Sequence, residues 1–330
     1  MTSRTMRGKI LRGKIRRIVF ASIAAALLLF LIAAGREALR GQRADYGWKP
    51  GIARPRFAST HPRVVLDQAH NNGGTAGIGS RYWPFARLLR ADGCKVIRGT
   101  SAFTPAILRD CDLLVVANAR GAPNPQFFGI NLPVRSRAKG GRTESDPAFT
   151  ETEIRAVREW VEQGGSLLLI ADHAPMGAAS AGLASAFGVE MRGGYVEVPG
   201  ESSDPLLFSA ENGRLGDHAI LAGDLPGTAV TRAMTFTGQS LDAPDSASIL
   251  LRLPASAVEY VPADSGFREL PAGAAQAVAL ERGRGRVVVL GEAAALTAQV
   301  YKGAPFGMNA PGNDNRQLAL NIVHWLLARR

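Results

Sequence analysis

The stretch TETEIRAVREWVEQGGSLLLIADH, residues 150–173, decides the fold. Thr150 and Glu153 form the pattern of a capping box, in which side chain and backbone satisfy each other at a helix start. Apolar residues recur at helical spacing through 154–161, and two glycines then end the pattern. The apolar run that follows, 166–171, predicts a buried strand. A helix that leads directly into a buried strand is typical of an α/β domain.

Further apolar runs on both sides of this stretch extend the pattern, and each predicts another buried strand. These runs are Arg63–Asp67, Lys95–Arg98, Leu113–Ala117 and Arg286–Leu290. Helical patterns alternate with them, over 81–90, after Thr104-Pro105, over 178–187 and over 315–327. Between 190 and 280 the pattern weakens to short β-like runs. The alternation predicts an α/β fold, with a mostly parallel sheet covered by helices on both faces.

The N-terminal segment predicts a membrane anchor. Residues 1–17 form a basic tail with seven cations and no acid, and the run 18–35 (IVFASIAAALLLFLIAAG) has no charge. As a helix this run would span roughly 27 Å, near the thickness of the hydrocarbon core. The cations predict that the N-terminus stays in the cytoplasm. A cleaved signal peptide is the alternative, although the end of the run offers only a poor cleavage site.

We therefore expect a single-pass inner-membrane protein whose transmembrane helix, 18–35, contacts the lipid bilayer. Residues 36–60 are polar and rich in Gly and Pro, and they predict a linker. Residues 61–330 would then form one periplasmic α/β domain. In that compartment Cys94 and Cys111 could pair, or they could be two small buried side chains.

The net charge of +11 is mainly an effect of the basic tail. Outside residues 1–17, the chain has 32 basic side chains against 28 acidic ones. A nucleic-acid-binding protein carries its basic cluster on the folded domain, and the sequence there has no such cluster. We therefore expect no nucleic-acid partner. The basic loop Arg135, Arg137, Lys139 and Arg142 is either solvated or a contact for an acidic partner or lipid headgroups.

Polar side chains gather where the predicted strands end. Asp67 and His70 with Asn71 follow the first strand, Asn118 follows another, and Asp172-His173 and Glu292 follow two more. In open α/β sheets this carboxyl edge is where ligands bind. Asn313 and Asp314, in the loop before the last helix, are candidates for the rim. Asp217-His218 repeats the acid–histidine pattern, whereas His61 and His324 look structural.

Three interpretations of this group remain open. The first is a divalent-metal site with Asp67, His70, Asp172 and His173 as candidate ligands, although no tight ligand spacing is present. The second is a metal-free pocket in which the acids bind hydroxyls or amides and histidine acts as donor or acid–base group. The third is local structure, with acids and amides that cap loops. The glycines of 73–79 could cradle an anion or form a flexible turn.

Several motifs together resemble the class I glutamine-amidotransferase-like superfamily. They are the D-x-A-H-N-N that begins at Asp67, the L-L-V-V-A-N that ends at Asn118, the segment 150–173, G-R-V-V-V-L-G-E at 285–292 and N-D-N-R-Q-L-A-L-N-I-V-H-W-L at 313–326. More narrowly, the chain resembles the superfamily's uncharacterised bacterial branch, near GldG-like and intraflagellar-transport-like domains. The resemblance covers roughly residues 61–330. It implies a flavodoxin-like sandwich with a site at the strand ends.

The resemblance also implies a cysteine nucleophile at a sharp turn, and this chain has none there. The corresponding turn is Ala171-Asp172-His173-Ala174, while Cys94 and Cys111 precede strands. We therefore expect no glutaminase activity. Two functions remain: a tethered module that binds an envelope glycan or protein partner, and a hydrolase, with or without a metal. In the hydrolase, His173 would be a ligand or general base and Asp172 its orienting partner, while Asp67 and His70 would bind metal or substrate.

Overall fold

The computed structural model describes residues 41–72, 80–123, 126–127, 130–131, 142–202, 204–262 and 266–328, together with Phe20 and Leu28. Apart from those two residues, the predicted transmembrane segment 18–35 lies outside the described residues. The basic tail, the glycines of 73–79 and most of the basic loop also lie outside them. Among the residues with a described position, we find no helix whose length and apolar character would let it span a bilayer.

The strands, numbered along the chain, are β1 (Arg43–Ala44), β2 (Arg63–Asp67), β3 (Lys95–Gly99), β4 (Leu113–Ala117), β5 (Gln126–Phe127), β6 (Ile130–Asn131), β7 (Ser166–Ile170), β8 (Glu190–Met191), β9 (Tyr195–Glu197), β10 (Leu206–Ser209), β11 (Arg232–Thr235), β12 (Leu241–Asp242), β13 (Ser248–Arg252), β14 (Val258–Val261), β15 (Gly266–Glu269), β16 (Ala275–Arg282), β17 (Gly285–Leu290), β18 (Ala298–Tyr301) and β19 (Ala304–Gly307). The described helices are α1 (Trp83–Ala91), α2 (Pro105–Leu108), α3 (Glu151–Glu162), α4 (Met176–Ser185), α5 (Ala219–Ala222) and α6 (Asn315–Leu327).

Five parallel strands form one half of the central sheet, in the order β3-β2-β4-β7-β17. Counted along the chain, this is the 2-1-3-4-5 order of flavodoxin-like folds. Beyond β17 the pairing becomes antiparallel through β16, β12 and β8, and β13 also pairs with β16. The prediction of a mostly parallel α/β sheet is confirmed for the half that carries the polar strand ends.

The side chains of the parallel strands alternate between two cores, one on each face of the sheet. Leu113 and Val115 of β4 pack in the core that contains α1 and α6, which we call the first face. Leu114 and Val116 of the same strand pack in the core that contains α3 and α4, the second face. Because both faces are covered, the strands are apolar throughout rather than alternating, as the sequence pattern predicts.

The region 190–280 adds strands whose order and pairing the sequence left open. β9, β14 and β15 form a three-stranded antiparallel sheet, and β10 pairs with β11. β1 pairs with β18, which also pairs with β19. Residues 41–60, part of the predicted linker, thus lie against the domain: Ala44 is buried and Trp48 packs on the first-face core.

Candidate functional site

The four polar strand ends lie along one edge of the sheet. Asp67 ends β2, Asn118 follows β4, and Asp172 and Glu292 follow β7 and β17. The in-register parallel pairing of β4, β7 and β17 carries these ends to the same level. β4 separates β2 from β7, so Asp67 and Asp172 start roughly 10 Å apart at the usual strand spacing.

Asp67 and His70 meet a third acid, Glu153, and we call this group the His70 cluster. His70 Nδ1 lies 3.0 and 2.9 Å from the two carboxylate oxygens of Asp67. His70 Nε2 lies 2.9 Å from Oε1 of Glu153. The rings of Phe103 and Phe149 each lie 4.6 Å from the imidazole, centroid to centroid. All three members of the cluster are buried.

Two carboxylates on one imidazole require both ring nitrogens to donate, so His70 is a buried imidazolium. Burial alone would lower the pKa of His70, but the hydrogen bonds and charges of Asp67 and then Glu153 outweigh it and raise the pKa. Burial likewise opposes ionisation of Glu153, yet its hydrogen bonds with Thr150, His70 and Phe103 lower its pKa overall.

Glu153 also completes the capping box with Thr150 at the start of helix α3. Its Oε2 accepts hydrogen bonds from the backbone N and the hydroxyl of Thr150, at 3.0 and 2.8 Å. Its Oε1 accepts a further bond from the backbone N of Phe103 at 3.1 Å. The capping box predicted from the sequence is therefore also an anchor for the loop after β2. With both ring nitrogens engaged, His70 has no lone pair to offer to a metal or substrate in this arrangement.

Asp172 and His173 lie in a second group, which we call the Asp172 cluster: Asp172, His173, Tyr195, Glu292 and Arg81. The side chains of Asn118 and Gln239 hold the backbone of its central turn. Asn118 Oδ1 accepts from the Asp172 backbone N at 2.9 Å. The side chain of Gln239 donates to the carbonyls of Ala171 and Asp172, at 2.9 and 3.1 Å. The amide of Asn118 therefore fixes the turn rather than facing a ligand through Oδ1.

The imidazole of His173 is oriented for acceptance at Nε2. Its Nδ1 lies 2.9 Å from the carbonyl of Ala174, and since a carbonyl only accepts, Nδ1 carries the proton. In the neutral ring Nε2 then holds the lone pair, 3.8 Å from Oδ1 of Asp172. The ring stacks on Tyr195 with centroids 4.1 Å apart. His173 remains 28% exposed and Asp172 18%, so solvent reaches both side chains.

Two carboxyls of this cluster, Asp172 and Glu292, both have a raised pKa. Burial raises the pKa of Glu292 well above 4.5, and the nearby charge of Asp172 adds to that rise. Burial also raises the pKa of Asp172, against the opposing charges of His173 and Arg81. Glu292 accepts from the backbone N atoms of Ala294 and Ala295, both at 2.7 Å. Perturbed pairs of this kind are concentrated at functional sites.

Basic side chains border these acids. Arg81 is exposed, yet surrounding protein and then the charge of Arg120 lower the pKa of its guanidinium, while Asp172 opposes the shift. Arg120 interacts with Glu144, its Nε lying 3.8 Å from Oε2. The two arginines supply hydrogen-bond donors and the acids supply acceptors, so a polar ligand at the Asp172 cluster would find both.

The two clusters lie on opposite faces of the sheet. Leu66 belongs to the first-face core, so the next residue, Asp67, points to the second face, where Phe103 and Phe149 also pack. Ile170 belongs to the first-face core, so Asp172, two residues on, returns to that face. Tyr82 packs on the same face, where burial and then the charges of Glu292 and Asp172 raise its pKa. The structure thus brings Asp172 and His173 together with Glu292, and Asp67 and His70 with Glu153.

The other candidate residues make local contacts. Asn71 donates to the carbonyl of Arg120, and Asn313 donates to those of Gly307 and Ala310. Asp314 accepts from the backbone of Thr231 and Arg232, which fastens the last loop to β11. His218 caps α5, His61 lies against the carbonyl of Gly93, and His324 pairs with Asp92 at 2.7 Å. Within the described residues, no group of three or more His, Cys, Asp or Glu side chains could hold a metal ion.

Both cysteines lie away from this edge. Cys94 and Cys111 are buried free thiols that precede β3 and β4, at the amino ends of the strands. Burial, followed by the charges of neighbouring acids, raises the pKa of Cys94 to about 12. Burial also raises the pKa of Cys111 to about 12. Thiols in this state are poor nucleophiles at neutral pH, because only the thiolate attacks.

Comparison with known proteins shows the fold. No family model and no curated protein matches the sequence. Among solved structures, the mmIFT52 N-terminal domain matches with a TM-score of 0.53 at 13% identity, covering 80% of this chain and 97% of that domain. A ThuA-like protein from Bacteroides uniformis matches with a TM-score of 0.41 at 12% identity, covering 86% of this chain and 95% of that one. The match to the mmIFT52 N-terminal domain shows that this chain shares the mixed α/β fold of that domain.

Proposed function

We propose that the protein is an envelope protein, anchored in the inner membrane by residues 18–35, whose Asp172 cluster binds a polar, hydroxyl-bearing ligand such as a glycan. The domain would belong to the uncharacterised bacterial branch of the amidotransferase-like superfamily. The observation that carries the proposal is the pair of carboxyls, Asp172 and Glu292, whose pKa values are both raised beside a partly exposed imidazole.

A raised pKa supplies the chemistry that hydroxyl recognition needs. A protonated carboxyl donates one hydrogen bond and accepts others, and the Nε2 lone pair of His173 accepts. The stacked rings of His173 and Tyr195 add a flat apolar surface beside these polar groups. A few polar groups next to an aromatic surface are the usual make-up of a small-ligand site.

Hydrolysis is the second candidate, and the orientation of His173 favours it. With Nδ1 held by the carbonyl of Ala174, Nε2 is free to take a proton from water or a hydroxyl. A carboxyl with a raised pKa would serve as general acid, as in other enzymes that place two titrating groups in different environments. The metal version of this candidate would require ligands beyond the Asp172 cluster.

One variant separates binding from hydrolysis. Asp172→Asn keeps a neutral donor and acceptor at nearly the same volume but cannot transfer a proton. The full-length protein in an uncharged detergent would be screened on an envelope-glycan array and against a panel of ester, amide and glycoside substrates. If the site only binds, Asp172→Asn retains binding and Asp172→Ala loses it. If the site hydrolyses, Asp172→Asn abolishes turnover.

The matched control is Glu211→Gln, which neutralises an exposed acid in the turn after β10. It should change neither binding nor turnover.

Glycan binding should also weaken as the pH rises through the raised pKa of Asp172, since ionisation removes the donor, and Asp172→Asn should remove that pH dependence. Wild-type protein that binds no glycan and turns over no substrate, or binding that survives Asp172→Ala with His173→Ala, would exclude this site.

A further inference from the structure

A cavity of about 880 Å³ opens at the amino edge of the sheet, opposite the Asp172 cluster. Its walls include Pro62, Asp112 and Ser166, which precede or begin β2, β4 and β7. Trp160 and the glycine pair after α3 also line it. The volume falls within the range of small-ligand sites. Neither function proposed above uses this cavity.

The cavity is basic. Among the described residues that line it, one has an acidic side chain, Asp112, and that carboxylate already accepts from the backbone N of Arg63 at 2.7 Å. Four guanidiniums line the same cavity: Arg56, Arg109, Arg284 and Arg286. A cavity lined by four cations and one acid that is already hydrogen-bonded has a positive potential and attracts anions.

Two of these four arginines already have partners that compensate their charge. Arg56 forms an ion pair with Asp224 at 2.6 Å. Arg286 donates to the carbonyls of Trp325 and Ala328 near the end of α6, and its Nε lies 3.5 Å from Glu281. The carboxylate of Asp224 compensates the charge of Arg56. Glu281 and the helix C-terminus compensate that of Arg286, because a helix C-terminus carries partial negative charge and favours a cation.

The other two, Arg109 and Arg284, have no acidic partner within the described part of the chain. Arg109 follows α2 and is exposed. Arg284 lies in the turn between β16 and β17, and its Nη2 donates to the carbonyl of Gln163 at 2.8 Å. This bond positions the Arg284 guanidinium and leaves its other donors available. The cavity therefore has two uncompensated guanidiniums on separate elements.

We infer that this cavity is an anion site that takes a phosphoryl group, through Arg109 and Arg284. A guanidinium presents its donors as a planar fork that matches phosphate oxygens. Two forks from separate elements suit a tetrahedral group, whose oxygens point in several directions, better than a planar carboxylate. The volume leaves room for the rest of a phosphate ester or a lipid headgroup, against the ring of Trp160.

The test is calorimetric titration of the full-length protein in dodecyl maltoside, with two probes. Pyrophosphate represents a soluble phosphoryl group, and dihexanoyl phosphatidylglycerol represents an anionic headgroup, with dihexanoyl phosphatidylcholine as its zwitterionic counterpart. Arg109→Gln with Arg284→Gln should raise the dissociation constant at least about tenfold, since each lost charged hydrogen bond is a substantial share of the binding. Arg109→Lys with Arg284→Lys should retain part of the affinity.

The matched control is Arg252→Gln, an exposed arginine at the end of β13 that does not line the cavity. Thermal unfolding of each variant checks that the fold is retained. Binding of pyrophosphate assigns the site to soluble phosphates, and binding of phosphatidylglycerol alone assigns it to lipid. Absence of binding to both probes, or equal affinity of the glutamine double variant and the Arg252→Gln control, would overturn the inference.

Discussion

Replacing Glu153 by glutamine should destabilise the domain through the His70 cluster. The substitution preserves the volume of the side chain and removes its charge. Glu153 now accepts four hydrogen bonds, from His70 Nε2, the backbone N of Phe103, and both the backbone N and the hydroxyl of Thr150. A glutamine has one acceptor oxygen, so its amide group would face at least one of these donors.

The expected loss is about 3 kcal/mol. Removing one partner of a buried ion pair costs about 3–5 kcal/mol, because the other charge stays buried. The lower end applies here because Asp67 still lies against His70 Nδ1. For a domain of this size the loss corresponds to a fall of about 6 °C in the unfolding midpoint. Circular dichroism of the full-length protein during heating measures it.

The sign of the pH dependence follows from the two pKa shifts. The raised pKa of His70 gives stability that is fully present below its ordinary value of 6.5 and is lost as the pH rises through the folded value. The lowered pKa of Glu153 gives stability that is present above 4.5 and is lost as the pH falls through the folded value. The difference between wild type and Glu153→Gln should therefore be largest between about pH 4.5 and 6.5.

Glu151→Gln is the matched control, since it neutralises an exposed acid in the same first helical turn. It removes only a helix-dipole interaction of about 0.5 kcal/mol. Equal destabilisation by Glu151→Gln and Glu153→Gln would refute the role given to the His70 cluster. A wild-type midpoint that does not change between pH 5 and pH 9 would refute the assignment of His70 as an imidazolium.

Three further predictions address packing, thiol chemistry and charge coupling. Gly285→Ala should cost about 3 kcal/mol in urea unfolding, because a Cβ there would lie 2.1 Å from the Val161 carbonyl oxygen, whereas Gly47→Ala, with its closest contact at 3.4 Å, should be nearly neutral. Iodoacetamide at pH 8 should leave Cys94 and Cys111 unmodified in the folded protein and alkylate both in urea, as mass spectrometry would show; rapid native labelling would contradict their burial. Asp172→Asn should lower the pKa of Glu292, because a neighbouring charge that raises it is removed; an unchanged carboxyl titration, followed by infrared spectroscopy, would show that the two acids are not coupled.

The parallel half of the sheet could be predicted because its strands are continuous apolar runs bounded by turns. The predicted bounds of β2 and β4, and those of α6, agree with the structure. In the region 190–280 only β-like runs could be predicted, among them 248–253 and 275–280, which match β13 and β16. The strand order there could not be predicted, because most of its strands are short and pair antiparallel. β9, for example, has three residues, too few for a periodicity to appear.

The site could be predicted only in part for a related reason. The positions of Asp172 and Glu292 follow from the rule that parallel strands end at one edge. The capping box at Glu153 is visible in the sequence, but the hydrogen bond that its carboxylate accepts from His70 depends on how the tertiary fold brings the start of α3 to the loop after β2. Arg81 precedes α1 and Tyr195 begins the short strand β9, and neither residue belongs to a sequence motif. Sequence therefore gives the edge of the sheet but not the face, and the face separates the two acid–histidine pairs.

The short strand β1 also limits how far the domain can move from an anchor. Arg43 pairs in register with Val300 and lies eight positions after Gly35, the end of the proposed anchor. Fully stretched, eight residues reach about 28 Å, roughly the width of a small protein. On this proposal the domain would stay beside the bilayer surface, and a pull on the N-terminal segment would act first on β18. β18 follows the loop that carries Glu292, so a force on this strand would act next to one of the two acids of the Asp172 cluster.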